Sequence, residues 1–181
     1  VQTCALPISP GAVRFEFLGD GPRKAALRAR AVAAGLRDVV FREAVPKRAV
    51  FDELAGAHVL LMPLRRAEVF AHGISPNKLW DYFAAARPVI FAVAASNDPV
   101  RALDAGRSVP PEDPEALARA VLELRDLAPA ERARMGARAR AWVEAEHDNR
   151  RLAERLGAFL QRCAAGVPER GTVAEAPPCT R

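Results

Sequence analysis

The amino-acid sequence predicts an α/β fold, a doubly wound parallel sheet followed by helices. Segments with strand-like and helix-like patterns alternate along most of the chain, and this alternation is typical of parallel strands joined by right-handed crossovers. Residues 58–64 and 88–93 are almost continuously apolar, as expected of strands covered on both faces. After residue 109 only helical patterns remain, so we expect helices to complete a single domain.

The elements of the first part follow from apolar spacing and from glycine and proline. Apolar and polar side chains alternate in residues 13–18, which predicts a strand. Pro22 suits the first position of a helix, and Gly35 suits the residue after its last turn. The predicted elements, in order, are a strand at 13–18, a turn at 19–21, a helix at 24–34, a strand at 39–41, a helix at 46–55, a strand at 58–64 and a loop at 65–74.

The second part is predicted to contain one more strand and several helices. Asp113 followed by Pro114 indicates a helix start, because an aspartate side chain can accept hydrogen bonds from the first free N–H groups. The predicted elements are a helix at 75–86, a strand at 88–93, a short helix at 100–105, a helix from 113 with a stripe of Leu117, Val121 and Leu124, a helix at 131–147 with Met135, Ala139 and Trp142 on one face, and a helix at 149–163 with a stripe of Leu152, Leu156, Phe159 and Cys163.

Composition limits the class of protein. Half of the residues are apolar, which is enough for a sizeable core. The three cysteines are scattered without a CxxC pair, which argues against a disulfide framework or a zinc site and fits a reducing compartment. The net charge of +5 comes mainly from arginine, and we interpret it as a solvated helical surface rather than a nucleic-acid site. No run of about 18 apolar residues is present, so no membrane-spanning helix is expected.

The two ends of the chain differ from the rest. Residues 1–9, VQTCALPIS, resemble the translation of a common sequencing adapter, and we interpret them as an artefact; the alternative is a natural loop containing Cys4. Residues 164–181 are rich in glycine, proline and charge, and are predicted to form a disordered tail. The folded domain is therefore expected to span residues 10–163.

A candidate phosphate site lies where a turn opens the helix predicted at 75–86. The residues Gly-Ile-Ser-Pro-Asn-Lys, 73–78, place a lysine at the start of this helix. Free N–H groups at a helix N-terminus carry about half a positive charge, and Lys78 adds a full charge. Asp81 is one turn further on, on the same face as Asn77 and Lys78, where its carboxylate could accept hydrogen bonds from a sugar hydroxyl.

The stretch GISPNKLWDYFAAARPVI, residues 73–90, resembles a bacterial subgroup of the retaining glycosyltransferases of the GT4 family, which have the GT-B fold and read SPxKLxDYxAxGxPV. Three other segments resemble the family in order and spacing, so that about residues 13–159 are covered. They are FLGDGP at 17–22, the strand–VP–helix–strand segment at 39–64 and the helical region at 109–146. Arginine and alanine are abundant, which also indicates a bacterial genome rich in GC.

The resemblance implies a Rossmann-like C-terminal domain, the half of a GT-B enzyme that binds the nucleotide sugar. In the family another strand precedes the GDGP strand, so this chain resembles a fragment truncated on its N-terminal side. The absent strand would lie centrally, between residues 13–18 and 58–64. Two unpaired inner strands would leave the isolated chain marginally stable, and we expect it to show no transferase activity alone.

The resemblance also implies roles for individual residues. Ser75, Asn77 and Lys78 would bind the donor diphosphate, with a simple helix cap as the alternative. Asp81 matches the second carboxylate of the family's E-x7-E motif, which binds the ribose; the alternative is a surface acid. The first carboxylate would fall at Gly73 and is missing, with His72 or Ser75 as substitutes.

Other positions carry weaker implications. Gly19 and Gly21 would turn beside the donor, or form a plain turn, and Arg42 and Glu43 would contact the nucleobase, or lie in a surface loop. Ala86 stands where the family has glycine, and alanine tolerates positive φ poorly. Three aromatic residues of the helix are expected to pack rather than to stack on a ligand, and His147 is expected at the surface. The aromatic residues are Trp80, Tyr82 and Phe83.

Together these observations predict a glycosyltransferase that transfers a sugar from a nucleotide-diphosphate donor to a glycan or lipid-linked acceptor in envelope polysaccharide synthesis. The donor is a substrate, and the resemblance implies that neither a cofactor nor a metal is needed, with positive protein groups stabilising the leaving diphosphate instead. The expected place is the cytoplasm, with peripheral contact at the inner face of the membrane; catalytic residues are not assigned. The alternatives are another GT-B enzyme, such as a nucleotide-sugar epimerase, and a non-catalytic nucleotide-binding or interaction module.

Overall fold

The computed structural model describes residues 12–165, which form five strands, seven α-helices and one short 3-10 helix. In chain order they are β1 (Phe15–Leu18), α1 (Lys24–Ala33), β2 (Val39–Arg42), α2 (Lys47–Gly56), β3 (Leu60–Pro63), the 3-10 helix (Glu68–His72), α3 (Asn77–Ala84), β4 (Val89–Ala92), α4 (Pro99–Ala102), β5 (Gly106–Val109), α5 (Pro114–Asp126), α6 (Pro129–Glu146) and α7 (Asn149–Ala164). The adapter interpretation of residues 1–9 lies outside the described residues, as does the tail prediction beyond residue 165, whereas residue 164 still belongs to α7.

All the strand pairs are parallel, which confirms the predicted α/β class with helices after the sheet. The strands form two sheets, one of order β1-β2 and one of order β3-β4-β5. The break between the sheets coincides with the position where the sequence predicts an absent central strand, between β1 and β3. That the strand is absent from a truncated chain stays a prediction.

The free edge of β3 is partly protected. The N–H groups of Leu60 and Leu64 donate toward β4, to carbonyls at 2.9 and 3.1 Å, so the intervening Leu61 turns its backbone groups away from β4. The Tyr82 hydroxyl donates to this Leu61 carbonyl at 3.4 Å, and burial raises the pKa of Tyr82. Pro63 also faces away from β4 and has no N–H to leave unpaired.

The core is built around β4, whose four residues are all buried. Ile90 packs on one side against α5 and α6, through Ala120, Val121, Leu124 and Met135. Val89 and Phe91 belong to the cluster on the other side, which includes residues of α3 and α6. Fully burying such a side chain stabilises the fold by roughly 1.5–3 kcal/mol. Burial on both faces explains why this segment has no polar alternation in the sequence.

Helix α3 ends against α6 at a point that requires a small residue. A Cβ atom on Gly136 of α6 would lie 2.0 Å from the Ala86 carbonyl oxygen, so only glycine lets the two backbones approach this closely. The N–H of Ala86 donates to the Phe83 carbonyl at 3.0 Å, and Ala86 has a φ of 54°. Alanine therefore occupies the left-handed conformation that glycine usually adopts after a helix, in line with the prediction that this position strains alanine.

The structure differs from the predicted elements in several places. The strand β5 was not predicted, because its residues Gly106–Val109 include Arg107 and Ser108 and show no apolar run; it forms by pairing with the buried β4. The loop predicted at 65–74 contains the 3-10 helix. Helix α3 starts at Asn77 rather than at residue 75, because Pro76 has an extended backbone with ψ of 120°.

The apolar stripe of α7 does not reach the described core. Leu152, Leu156 and Phe159 are 40%, 58% and 41% exposed, and no residue of α7 is buried. Cys163, at the end of the same stripe, is also exposed. The periodicity therefore predicted the helix correctly, but within residues 12–165 its apolar face has no core to pack against.

An aromatic cluster joins α3 to the end of α6. The His147 ring lies 4.2 Å from the Trp80 ring and 4.7 Å from the Trp142 ring, between ring centroids. The packing role predicted for Trp80, Tyr82 and Phe83 is confirmed, since Phe83 is fully buried and the other two are half-buried. The surface prediction for His147 is wrong: the ring is half-buried between two indoles, and burial lowers its pKa below the usual value of 6.5.

Replacing Ala86 by glycine should stabilise the fold. The substitution relieves the positive φ, which costs an L-residue roughly 1–2 kcal/mol, and part of this gain is lost to the greater freedom of glycine in the unfolded chain. We expect the free energy of unfolding to rise by about 0.5–1 kcal/mol in chemical denaturation. Ala85→Gly is the matched control, because Ala85 has a φ of −70° and should lose stability. A loss of stability in Ala86→Gly would contradict the strain argument.

Stability should depend on pH through His147. The unfolded chain takes up the imidazole proton at a higher pH than the folded chain, so the free energy of unfolding should decrease as the pH falls through 6.5, and level off below the folded pKa. His147→Phe keeps an aromatic ring against both indoles but cannot titrate. Denaturation curves at several pH values should show a smaller pH dependence for this variant, and equal slopes for both proteins would refute the assignment.

Candidate functional site

The N-terminus of α3 is open toward solvent. Pro76 is its N-cap and has no side-chain acceptor, so the backbone N–H groups of Asn77 and Lys78 are not capped. The next N–H group, of Leu79, already donates to the Pro76 carbonyl at 2.9 Å. The structure therefore places free donors and the positive end of the helix dipole where the sequence predicts a phosphate site.

Four predicted side chains surround this helix end, and all of them are exposed. They are those of Ser75, Asn77, Lys78 and Asp81. Within residues 12–165, none of them forms a side-chain hydrogen bond or an ion pair. An anion that binds here would not have to displace a partner of these side chains in the described structure, and the Lys78 ammonium is free to reach it. The Asp81 carboxylate is free to accept hydrogen bonds from hydroxyl groups beside the anion.

The loop before α3 is tied to the loop after β4. The Asn97 side chain accepts a hydrogen bond from the Ile74 N–H at 2.7 Å and donates one to the Ile74 carbonyl at 2.8 Å. A third bond joins the same loops, from the Ser96 N–H to the Phe70 carbonyl at 3.1 Å. Both loops follow the carboxyl ends of neighbouring parallel strands, which is where ligands bind in open α/β sheets.

Gly73 occupies the position where the E-x7-E motif has its first carboxylate, and the backbone of this glycine is constrained. Gly73 has a φ of 97°, and a Cβ atom there would lie 3.3 Å from the Oδ1 atom of Asn97. A glutamate at this position would combine backbone strain with crowding of Asn97. The two suggested substitutes, His72 and Ser75, flank this glycine on each side and are exposed.

The turn after β1 leaves open space in front of it. Gly19 has a φ of 134°, and its N–H donates to the Arg42 carbonyl at 3.4 Å. Gly21 donates its N–H to the Asp20 carboxylate at 2.8 Å. A Cβ atom on either glycine would meet no other atom within 4 Å. The predicted turn is confirmed, and its outer surface can approach a ligand; contact with a donor stays a prediction.

Arg42 lies where predicted, at the end of β2, but its guanidinium is engaged by protein carboxylates. It donates to both carboxylate oxygens of Glu53 on α2, at 2.5 and 2.7 Å, and contacts Glu16 on β1 at 3.3 Å. The hydrogen bonds from Arg42 lower the pKa of Glu53. The guanidinium of Arg42 therefore holds α2 against β1 and β2. The geometry gives no support to nucleobase contact by this side chain.

Lys24 is a residue that the sequence did not single out. Its ammonium donates to the Arg42 carbonyl at 3.0 Å and pairs with Glu43 at 2.8 Å, while its own side chain is only 16% exposed. Lys24 thereby joins the turn at 19–21 to the end of β2. Glu43 remains 82% exposed despite this pair, so its carboxylate is still accessible.

Asn97 was also missed, and the two omissions have the same cause. The partners of Asn97 and Lys24 lie 23 and 18 positions away in the sequence. No motif or local spacing indicates either contact, and the only available signal was a polar residue directly after a buried strand or turn.

Neither a metal cluster nor a membrane span is found in the part of the chain that the structure describes. Over residues 12–165, no three histidine, cysteine, aspartate or glutamate side chains are grouped as metal ligands. None of the helices in this range has the length and apolarity needed to cross a bilayer. The candidate site itself offers charges and backbone donors: a cationic helix end for an anion, with a carboxylate one turn away.

Solved structures share this fold. The chain matches sucrose-phosphate synthase from Thermosynechococcus elongatus with a TM-score of 0.68 and 22% identity, over 83% of this chain and 38% of that one. It matches HepE from Anabaena in complex with UDP-glucose with a TM-score of 0.62 and 18% identity, over 82% and 42% of the two chains. The UDP complex of HepE gives a TM-score of 0.57 and 17% identity, with the same coverage. These matches confirm the predicted GT-B type of Rossmann-like fold.

The chain spans about two fifths of the length of these solved structures. No curated protein sequence matches it significantly. The family model described as "Glycosyl transferases group 1" matches residues 4–126, which is more than half of the chain and includes β1 to α5 with all the predicted site residues. The chain therefore belongs to the family of group 1 glycosyl transferases.

Proposed function

We propose that the protein containing this chain transfers a sugar from a nucleotide-diphosphate donor, and that this chain binds the donor. The observation that carries the proposal is the open N-terminus of α3, where uncapped backbone N–H groups stand beside Lys78, which has no ion-pair partner among residues 12–165. Membership of the glycosyl transferase family and the fold shared with HepE, which has been solved with UDP and UDP-glucose, support it.

In this proposal the diphosphate binds at the start of α3. The N–H groups of Asn77 and Lys78, the helix dipole and the Lys78 ammonium stabilise negative charge, and Ser75 adds a hydroxyl donor. The charge on the diphosphate grows as the bond to the sugar breaks, so preorganised positive groups favour the transition state over the ground state. These groups supply the stabilisation that a metal ion provides in other enzymes, and the nucleotide sugar is a substrate rather than a resident cofactor.

The remaining predicted residues complete the donor site. Asp81, exposed one turn into α3, accepts hydrogen bonds from ribose hydroxyls. Gly19 and Gly21 line the open turn after β1, and the accessible Glu43 lies at the end of β2, on the side proposed for the nucleobase. Arg42 contributes through its carbonyl, which holds Gly19 and Lys24, rather than through its guanidinium.

The finer assignment rests on the resemblance of residues 73–90. It places the protein in the bacterial SPxKLxDY subgroup of GT4, with retention of configuration and a glycan or lipid-linked acceptor in envelope polysaccharide synthesis. With this assignment we also propose a cytoplasmic enzyme that makes peripheral contact with the inner face of the membrane. Acceptor binding is proposed for parts of the protein beyond this chain, because the solved structures with this fold are about twice as long.

Lys78→Ala and Asp81→Ala should each weaken binding of UDP or GDP to the 181-residue chain, measured by calorimetry. Each loses a charge-assisted contact, which costs roughly 1.5–3 kcal/mol, or about ten- to a hundredfold in affinity. Lys47→Ala and Asp52→Ala are matched controls, because Lys47 also starts a helix after a proline and Asp52 is an exposed acid of that helix. The controls should retain wild-type affinity. Unchanged affinity in both site variants would refute the donor site.

A further inference from the structure

We infer that Asn97 is a positioning residue of the donor site, which holds the loop before α3 in the conformation that binds a nucleoside diphosphate. The inference rests on the proposed function, because it assigns a purpose to a contact at the edge of that site. Asn97 acts through Ile74 and not on the donor itself.

The contact is specific in its geometry. The carboxamide oxygen of Asn97 accepts from the Ile74 N–H at 2.7 Å, and its NH2 group donates to the Ile74 carbonyl at 2.8 Å. One side chain thus satisfies both backbone groups of a single residue, as a neighbouring strand would. Among the short side chains only an amide presents an acceptor and a donor on two neighbouring atoms; ionised aspartate has no donor, and serine has both functions on a single oxygen.

Ile74 depends on this contact because it belongs to no helix or strand. It lies between the 3-10 helix and α3, next to Gly73 with its φ of 97°, and is half-buried. Without Asn97, its N–H and carbonyl groups would be partly removed from water and lack these partners. A loop that opens to hydrate them would also move Ser75 and the first N–H groups of α3, which follow within four residues.

The neighbouring Asp98 has a different task, which provides an internal control. Its carboxylate caps α4 by accepting from the Arg101 N–H at 2.9 Å, and no contact joins it to the loop before α3 in the described structure. Asp98→Ala should therefore lower stability, as loss of a cap does, and leave Ile74 in place.

The experiment is made on the 181-residue chain. It measures the affinity for UDP by calorimetry and the rate of hydrogen exchange of the Ile74 amide with solvent by NMR. For Asn97→Ala we expect about a tenfold loss of UDP affinity, equivalent to about 1.4 kcal/mol. Exchange of the Ile74 amide should become faster, and saturating UDP should slow it again. Asp98→Ala should lower the melting temperature but keep wild-type affinity and wild-type exchange at Ile74. If Asn97→Ala does not fold, Asn97→Asp decides instead, because it keeps an acceptor for the Ile74 N–H but loses the donor for the Ile74 carbonyl.

If the wild-type chain binds UDP, three results would overturn the inference. Faster exchange at Ile74 with unchanged UDP affinity would show that binding does not need the ordered loop. Unchanged exchange would show that Asn97 does not hold Ile74. An equal loss of UDP affinity in Asp98→Ala would show that the loss in Asn97→Ala comes from general destabilisation. Failure of the wild-type chain to bind UDP would refute the proposed donor site and the positioning role with it, whereas exchange at Ile74 would still decide whether Asn97 orders the loop.

Discussion

Burial of β4 on both faces is the constraint on which the rest of this structure depends. Its apolar side chains contact α5 and α6 on one side and a cluster with α3 on the other, so that the strand cannot shift its register without exposing one of the two layers. The strands β3 and β5 take their alignment from β4. The loops that leave the carboxyl ends of β3 and β4 are in turn brought side by side.

The candidate site is a consequence of that alignment. Asn97 follows β4 and Ile74 precedes α3, and the two meet because parallel neighbouring strands end at the same edge. Aspartate side chains cap α4, α5 and α7, whereas α3 starts without a side-chain acceptor, as do α1, α2 and α6. A helix end that is held in place but not capped can use its N–H groups for a ligand, and Lys78 increases its preference for anions.

The sheet of β1 and β2 is held by different forces. Its strands are short and half-exposed, with Phe17 stacked on Phe41 at 5.2 Å and Arg42 bridging to Glu53 on α2. Exposed ion pairs contribute little to stability, so this part of the fold relies less on burial than the layers around β4. Within residues 12–165, one edge of β1 and one edge of β3 are unpaired, and the apolar face of α7 is exposed.

Local sequence by itself determined most elements and the place of the uncapped, cationic helix start. The apolar run at 88–93 predicted the buried strand, the spacing of glycine and proline predicted the turns, and residues 75–81 predicted a cationic helix start, because each pattern acts within a few residues of itself. Only the tertiary structure decided that Arg42 binds Glu53, that Asn97 holds Ile74, and that the polar Gly106–Val109 forms a strand. It also decided that the stripe of α7 stays exposed. These features depend on which distant segment supplies the hydrogen-bond partner or the apolar surface, and no local pattern carries that information.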